Sequence, residues 1–182
     1  MALDINKHAY AILQDSQLLY SAEQVQQAIA TMVKAIRHDL ADQTPLLLAV
    51  MGGAVYFTGQ LLPHLDFPLQ FDYLQATRYG NHTSGSELIW KVEPPESVAG
   101  RVVLILDDIL DQGVTLHAIK QRCLEMGAAQ VKIAVLFEKR LANSKPVQAD
   151  YIGLELPDKY VFGCGMDVYG WWRNLAEVRA MN

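Results

Sequence analysis

The stretch from Arg101 to Leu116, RVVLILDDILDQGVTL, constrains the chain more than any other. Its apolar run, Val102 to Leu106, is built from Val, Leu and Ile and does not alternate with polar residues. Such a run suits a strand covered on both faces, as in the middle of a parallel sheet. Two adjacent acids, Asp107 and Asp108, come next. A short turn, Asp111-Gln112-Gly113, then leads through Thr115 into an apolar-periodic segment. The expected order is a strand, a tight acidic loop and a helix start.

The chemistry of that loop follows from its groups. Open α/β sheets bind ligands beyond the carboxyl ends of their strands. A helix N-terminus offers free backbone N–H groups and a partial positive charge, so it holds a phosphate well. Gly113 lets the backbone approach a ligand closely, and Thr115 can donate a hydroxyl. Asp107 and Asp108 are acceptors, suited to sugar hydroxyls or to the waters around Mg²⁺. The expected ligand carries a phosphate with a polyol beside it, as a ribose 5-phosphate does. An isolated Asp-Asp pair would be solvated surface, and Asp111 alone would be a helix cap. The complete strand, acid, turn, glycine, threonine and helix array favours the ligand.

Other segments supply the frame. Ser21-Ala-Glu-Gln24 reads as a capping box, and Val25, Ala28, Ile29, Met32, Val33 and Ile36 keep helical spacing behind it. A helix over 22 to about 40 is expected, in a packing role. Leu46 to Val50 is a second buried-strand run, ended by Met51-Gly52-Gly53, with a helix expected over Ala54 to Leu62. Leu69, Phe71 and Tyr73 alternate as a strand does, and so do Leu88, Trp90 and Val92. Between them the arm 75–86, QATRYGNHTSGS, is polar, with Gly80 and Gly85 as hinges. Leu116, Ile119, Cys123 and Met126 form a helix face ending at Gly127, and Val131 to Phe137 is the next strand, followed by Glu138-Lys139-Arg140. Strands at 46–50, 69–74, 102–106 and 131–137 with helices between them indicate a parallel α/β sheet. GCGMDV begins like a dinucleotide fingerprint, but Val168 replaces the third glycine and no helix pattern follows.

Bulk properties exclude several function classes. At 182 residues one domain is the default, and 51% apolar with 19% charged residues describes a globular chain. Lys plus Arg is 15 and Asp plus Glu is 20, so the net charge of −5 argues against general nucleic-acid binding. The opening MALDINKHAYAIL shows no basic-then-apolar signal pattern, and no apolar run reaches membrane-spanning length. Cys123 and Cys164 form no CxxC pair, so a reducing cytoplasm is the expected compartment. The five histidines show no zinc spacing.

The stretch Arg101–Leu116 resembles the binding signature for 5-phosphoribosyl 1-pyrophosphate (PRPP) in type I phosphoribosyltransferases. Further details resemble the hypoxanthine-guanine branch of that family. The resemblance runs from about Leu46 to Arg173. It implies a parallel sheet flanked by helices, with a small purine-binding hood from the chain ends. It also implies one domain over 1–182, with a core at about 40–150, a flexible lid at about 75–86 and a hood at about 155–182.

The resemblance assigns roles residue by residue. Asp107, Asp108, Asp111, Gln112, Gly113, Val114 and Thr115 match the PRPP and ribose-phosphate site, with Asp111 as the general base for the purine proton. Met51-Gly52 matches a pyrophosphate loop that acts through its backbone, often with a non-proline cis peptide, and Met51 stands where the family often has Lys. Arg78-Tyr79 sits in the lid where the family carries Ser-Tyr, and Arg173 matches an arginine that holds pyrophosphate. Lys139 matches the lysine that donates to the exocyclic oxygen of a 6-oxopurine, which would exclude adenine. Tyr160 matches the aromatic that stacks on the base, and Val161 the residue whose main chain meets the Watson–Crick edge. Asp167 matches an acid near the base and a second Mg²⁺, so the metal set is Asp107, Asp108 and Asp167. Two departures stand out: Asp107 replaces a common Glu, and Gln112 replaces a Thr or Ser at the 5-phosphate. Trp171 and Trp172 are expected to pack.

The resemblance therefore implies a Mg²⁺-dependent transferase of purine salvage that uses PRPP and hypoxanthine or guanine and yields IMP or GMP. It implies a homodimer or homotetramer, with no nucleic-acid or membrane partner. Two rival expectations are a xanthine-preferring transferase and a regulatory relative of the same fold that binds RNA.

Overall fold

The computed structural model describes residues 4–78 and 88–182, and for Arg78 the backbone alone. The elements run α1 (Ile5–Asp15), β1 (Gln17–Tyr20), α2 (Ala22–Leu40), β2 (Leu46–Val50), α3 (Val55–Leu61), β3 (Gln70–Arg78) and β4 (Leu88–Val92). They continue with β5 (Val102–Leu110), α4 (Val114–Glu125), β6 (Gln130–Lys139), β7 (Tyr151–Leu156), β8 (Val161–Phe162) and β9 (Val178–Ala180).

The main sheet has the order β4-β3-β2-β5-β6-β7. Strands β3, β2, β5, β6 and β7 pair in parallel, and β4 joins the edge antiparallel. The two unbroken apolar runs are β2 and β5, side by side in the middle. Their side chains alternate between two cores. Leu47, Leu104 and Leu106 face α2 and α3, whose Val25, Ile29, Ile36 and Phe57 close one core. Leu46, Leu48, Val103 and Ile105 face Leu116, Ile119 and Cys123 of α4 in the other. A strand between two apolar layers has no face left for water, which is why these runs lack alternation.

Helix α2 starts as expected. Ser21 accepts from the Gln24 N–H and Gln24 accepts from the Ser21 N–H, a reciprocal capping box. Helix α3 ends at Leu61, and Pro63 sits in a single 3₁₀ turn after it. Three expectations change. The acids Asp107 and Asp108 lie within a strand rather than in a loop, because β5 stays paired with β6 through Asp107↔Val135, Ile109↔Phe137 and Leu110↔Glu138. Lys139 is the last residue of β6 rather than a residue beyond it. Residues 75–78 of the polar arm are strand, held by the antiparallel pairing of Gln75–Arg78 with β4. The rest of the arm, 79–86, lies outside the described residues.

Both ends of the chain meet in a second sheet, β1-β9-β8, paired antiparallel. It sits over the carboxyl end of the main sheet through Val161, Val178 and Ala180, which belong to the first core. Helix α1 buries none of its residues fully. It is fastened instead by Trp172, whose indole N–H donates to the Ala9 carbonyl at 2.9 Å, while His8 meets Trp171 edge-on at 5.7 Å. Both tryptophans therefore pack, as expected. No helix among the described residues is long and apolar enough to cross a membrane.

Candidate active site

The carboxyl ends of β2, β5 and β6 converge with the 161–173 segment. Strand β5 ends at Leu110, and residues 111–113 turn directly into α4. Gly113 is the N-cap of α4, in the left-handed conformation with φ 80°. A side chain there would be strained, and its Cβ would press on Leu110 and Val147. With Gly113 as the cap and no side-chain cap bond, Asp111 is not a helix cap. Its carboxylate is free for other work.

Asp107, Asp108, Asp111, Gln112, Gly113, Val114 and Thr115 all line one cavity of about 340 Å³, together with Ile109 and Leu116. A second cavity of about 270 Å³ is lined by Asp111, Lys139, Tyr160, Val161, Asp167 and Arg173, with Asp108, Ile109 and Met166. The two share Asp108, Ile109 and Asp111. Asp111 therefore stands on the boundary between a compartment with a helix N-terminus at its end and one walled by a tyrosine ring. Tyr160 is half exposed, with its ring available to a planar ligand.

Lys139 meets Asp111 from the side of the second cavity. Its ammonium lies 3.0 Å from an Asp111 carboxylate oxygen, and its side chain is only 12% exposed. Arg173 donates to the Gly165 carbonyl at 2.6 Å and pairs with Asp167 at 2.5 Å. The other oxygen of Asp167 accepts from the Gly170 N–H at 2.7 Å. Met51 and Gly52 are joined by a cis peptide bond at the end of β2. Tyr79 and the Arg78 side chain lie outside the described residues.

The two central acids differ in surroundings. The Asp107 carboxylate accepts the Asp108 N–H at 2.9 Å. Burial pushes its pKa well above the ordinary carboxylate range, and the neighbouring Asp108 charge adds to that. Burial also raises Asp108, against the opposing effects of the Asp107 contact, nearby backbone N–H groups and the Arg173 charge. Two close carboxylates in a desolvated place favour a cationic partner. Their oxygen-only donor set fits a hard divalent ion. Among the described residues no group of three or more His, Cys, Asp or Glu side chains gathers as a self-sufficient metal site. An ion here would draw its remaining ligands from water and from a bound phosphate or sugar.

Two glycines complete the site through a contact that the order of residues does not show. A Cβ on Gly53 would collide with the Asp108 carboxylate, and a Cβ on Gly165 would collide with the Gly53 carbonyl. The Gly53 backbone is thus pressed against the Asp108 side chain on one hand and the 163–166 backbone on the other. Paired glycines at 52–53 hint at a close approach, but the partner lies 112 residues further on, which no local pattern reveals.

Comparison with known proteins matches the chain over residues 16–170 to the phosphoribosyl transferase domain. The hypoxanthine-guanine phosphoribosyltransferase of Bacillus subtilis is 32% identical over 163 residues, covering 89% of this chain and 91% of that protein. The hypoxanthine-guanine-xanthine phosphoribosyltransferase of Tritrichomonas foetus is 29% identical over 163 residues, with 89% of each chain covered. A crystal structure of a hypoxanthine phosphoribosyltransferase from Staphylococcus aureus superposes with a TM-score of 0.87 over 94% of this chain and 95% of that one, at 23% identity, and so shows the shared fold.

Proposed function

The chain belongs to the phosphoribosyl transferase family, and on that premise we propose that it transfers the 5-phosphoribosyl group of PRPP to a 6-oxopurine, hypoxanthine or guanine. The products are IMP or GMP and pyrophosphate. The observation that carries this reading is the pair Asp111–Lys139 on the boundary of two cavities. A 6-oxopurine has O6 and N7 side by side on one edge. A lysine donor and a carboxylate acceptor 3.0 Å apart match that edge, the ammonium facing O6 and the carboxylate facing N7–H. Adenine would turn an amino group toward the ammonium and leave buried donors unpaired, a costly mismatch.

The reaction then balances. Purine N9 forms a bond to carbon 1 of the ribose, the bond from carbon 1 to the pyrophosphate oxygen breaks, and the N7 proton passes to Asp111. The 5-phosphate belongs at Gln112–Thr115, on the N-terminus of α4. Asp107 and Asp108 face the sugar, where their charge favours the cation-like ribosyl centre. The Met51-Gly52 backbone, Arg78, Tyr79 and Arg173 belong to the pyrophosphate end, where an arginine supplies strong charge-assisted bonds. Tyr160 stacks on the base and the Val161 main chain meets its far edge. Mg²⁺ would be held by Asp107 and Asp108 with PRPP, and by Asp167, and when bound it neutralises charge on the leaving pyrophosphate.

We further infer one domain with a core at about 40–150, a lid at about 75–86 and a hood at about 155–182. The two cysteines are free and buried, which suits a reducing cytoplasm. The half-exposed Phe71, Tyr73 and Ile89 near the sheet edge support a homodimer or homotetramer. A monomer by light scattering removes that inference.

The test is a steady-state assay with PRPP, Mg²⁺ and, in parallel, hypoxanthine, guanine, xanthine and adenine. Nucleotide from hypoxanthine and guanine, with none from adenine, is the expected result. Turnover confined to xanthine, or to adenine, contradicts it.

A further inference from the structure

We propose that Lys145 is a positioning residue that sets the spacing between Asp111 and Lys139. The inference rests on the proposed function, since it concerns the two groups assigned to the purine edge. Lys145 lies in the polar loop between β6 and β7, where a lysine would ordinarily be solvated. Its side chain is instead only 10% exposed. Its ammonium donates to the Leu110 carbonyl at 3.0 Å, to the Lys139 carbonyl at 2.6 Å and to a Glu138 carboxylate oxygen at 3.0 Å. An ammonium carries three protons, so these acceptors use all of them. Burying an ammonium is costly unless it is paired in this way.

The choice of acceptors carries the argument. The β5–β6 ladder ends at Leu110↔Glu138. Asp111 and Lys139 each lie one step past that last pair, where the ladder no longer holds the strands together. Lys145 takes over at that point. One bond goes to the residue that precedes Asp111 and another to Lys139 itself. The stem of Lys145 also abuts the phosphate turn, since a Cβ placed on Gly113 would lie 3.5 Å from the Lys145 Cβ. One side chain thus joins the backbone behind the general base, the backbone of the base-reading lysine and the turn at the helix N-terminus. A plain ion pair with Glu138 would need neither carbonyl.

The experiment compares the full-length parent with Lys145→Met and Glu138→Gln. It measures kcat and KM for guanine at saturating PRPP and Mg²⁺, the Kd for PRPP by calorimetry, and Tm. Lys145→Met removes all three bonds, whereas Glu138→Gln keeps both carbonyl bonds. Because small misplacements of reacting groups are expensive, Lys145→Met should lower kcat/KM for guanine by roughly 10- to 100-fold while the Kd for PRPP moves by less than about 3-fold. Glu138→Gln should leave both values within about 3-fold of the parent. Should Lys145→Met fail to fold, Lys145→Arg gives the same split, because a planar guanidinium fork misplaces donors that a compact ammonium aims. Equal losses toward guanine and PRPP, no loss toward guanine, or a Glu138→Gln variant that reproduces the guanine defect would each overturn the role. A parent inert with PRPP and every purine overturns the proposed function and this role with it. An active parent whose variants fail the split overturns the role of Lys145 alone.

Discussion

Asp111 and Lys139 form an ion pair at 3.0 Å across the ends of two neighbouring parallel strands. They are 28 residues apart in sequence and meet because β5 and β6 pair in register up to Leu110↔Glu138. The pair presents an acceptor and a donor side by side on the wall of the cavity that also holds Tyr160.

Lys139→Ala should weaken purine use with little effect on PRPP. A hydrogen bond to a charged group contributes about 1.5–3 kcal/mol, so KM for guanine should rise by roughly 10- to 150-fold. Calorimetry with PRPP and Mg²⁺ should return a Kd close to that of the parent. Lost PRPP binding with guanine affinity intact would move Lys139 out of the base site.

Gly53→Ala should damage the site and the fold together. The added methyl has no room, since it would collide with the buried Asp108 carboxylate. Overpacking of this kind typically costs about 1–3 kcal/mol. The expected outcome is a lower Tm by scanning calorimetry, with PRPP affinity reduced because Asp108 is displaced. An unchanged Tm would mean that the loop after β2 yields freely, and that its contact with β5 does not hold the acid in place.

Gln112→Thr should tighten PRPP binding or leave it unchanged. Gln112 is exposed at the turn beside Gly113, and a short threonine hydroxyl there could donate to the 5-phosphate proposed for that turn. Equilibrium binding of PRPP measures this. A large drop in affinity would give Gln112 a necessary role of its own.

Much of this site could be read from residue order, and the physical reason is locality. Strand β5, the acids and the α4 N-terminus follow one another within a single stretch, so strand, turn and helix chemistry are all visible there. The lack of alternation in β2 and β5 reported their burial between two cores. The true end of β5 was hidden, because Asp107 and Asp108 look like loop residues. They stay in the sheet because β5 keeps its pairing with β6 on either side of Asp108, through Asp107↔Val135 and Ile109↔Phe137, a tertiary fact. Helix α1 lacks a fully buried face, so its apolar residues give no sign of where it rests. Pairing of β1 with β9 joins the two ends of the chain, and the Gly53–Gly165 contact joins distant loops. Lys145 had the least signal of all, as one lysine in a polar loop.

The thiols offer a check on packing that is independent of substrate. Burial pushes Cys123 up to about 11 and Cys164 up to about 12, so neither forms a thiolate near pH 8. Titration with a thiol-reactive chromophore at pH 8 should find neither cysteine in the native protein and both in guanidinium. Rapid labelling of native protein would contradict the burial of Cys164 within the 163–166 turn.

Asp111→Asn carries the most weight. Asn keeps the shape and can still accept a hydrogen bond, but it cannot take up a proton as a carboxylate does. Since α4 is capped at Gly113, the change should leave the fold and PRPP binding largely intact. The decisive measurement is single-turnover nucleotide formation from guanine at saturating PRPP and Mg²⁺, where product release does not mask the chemical step. A fall of roughly 10²–10⁴-fold is predicted, the usual contribution of general acid–base catalysis. Nucleotide formed by Asp111→Asn as fast as by the parent would contradict the assignment, and the base would then have to be another group.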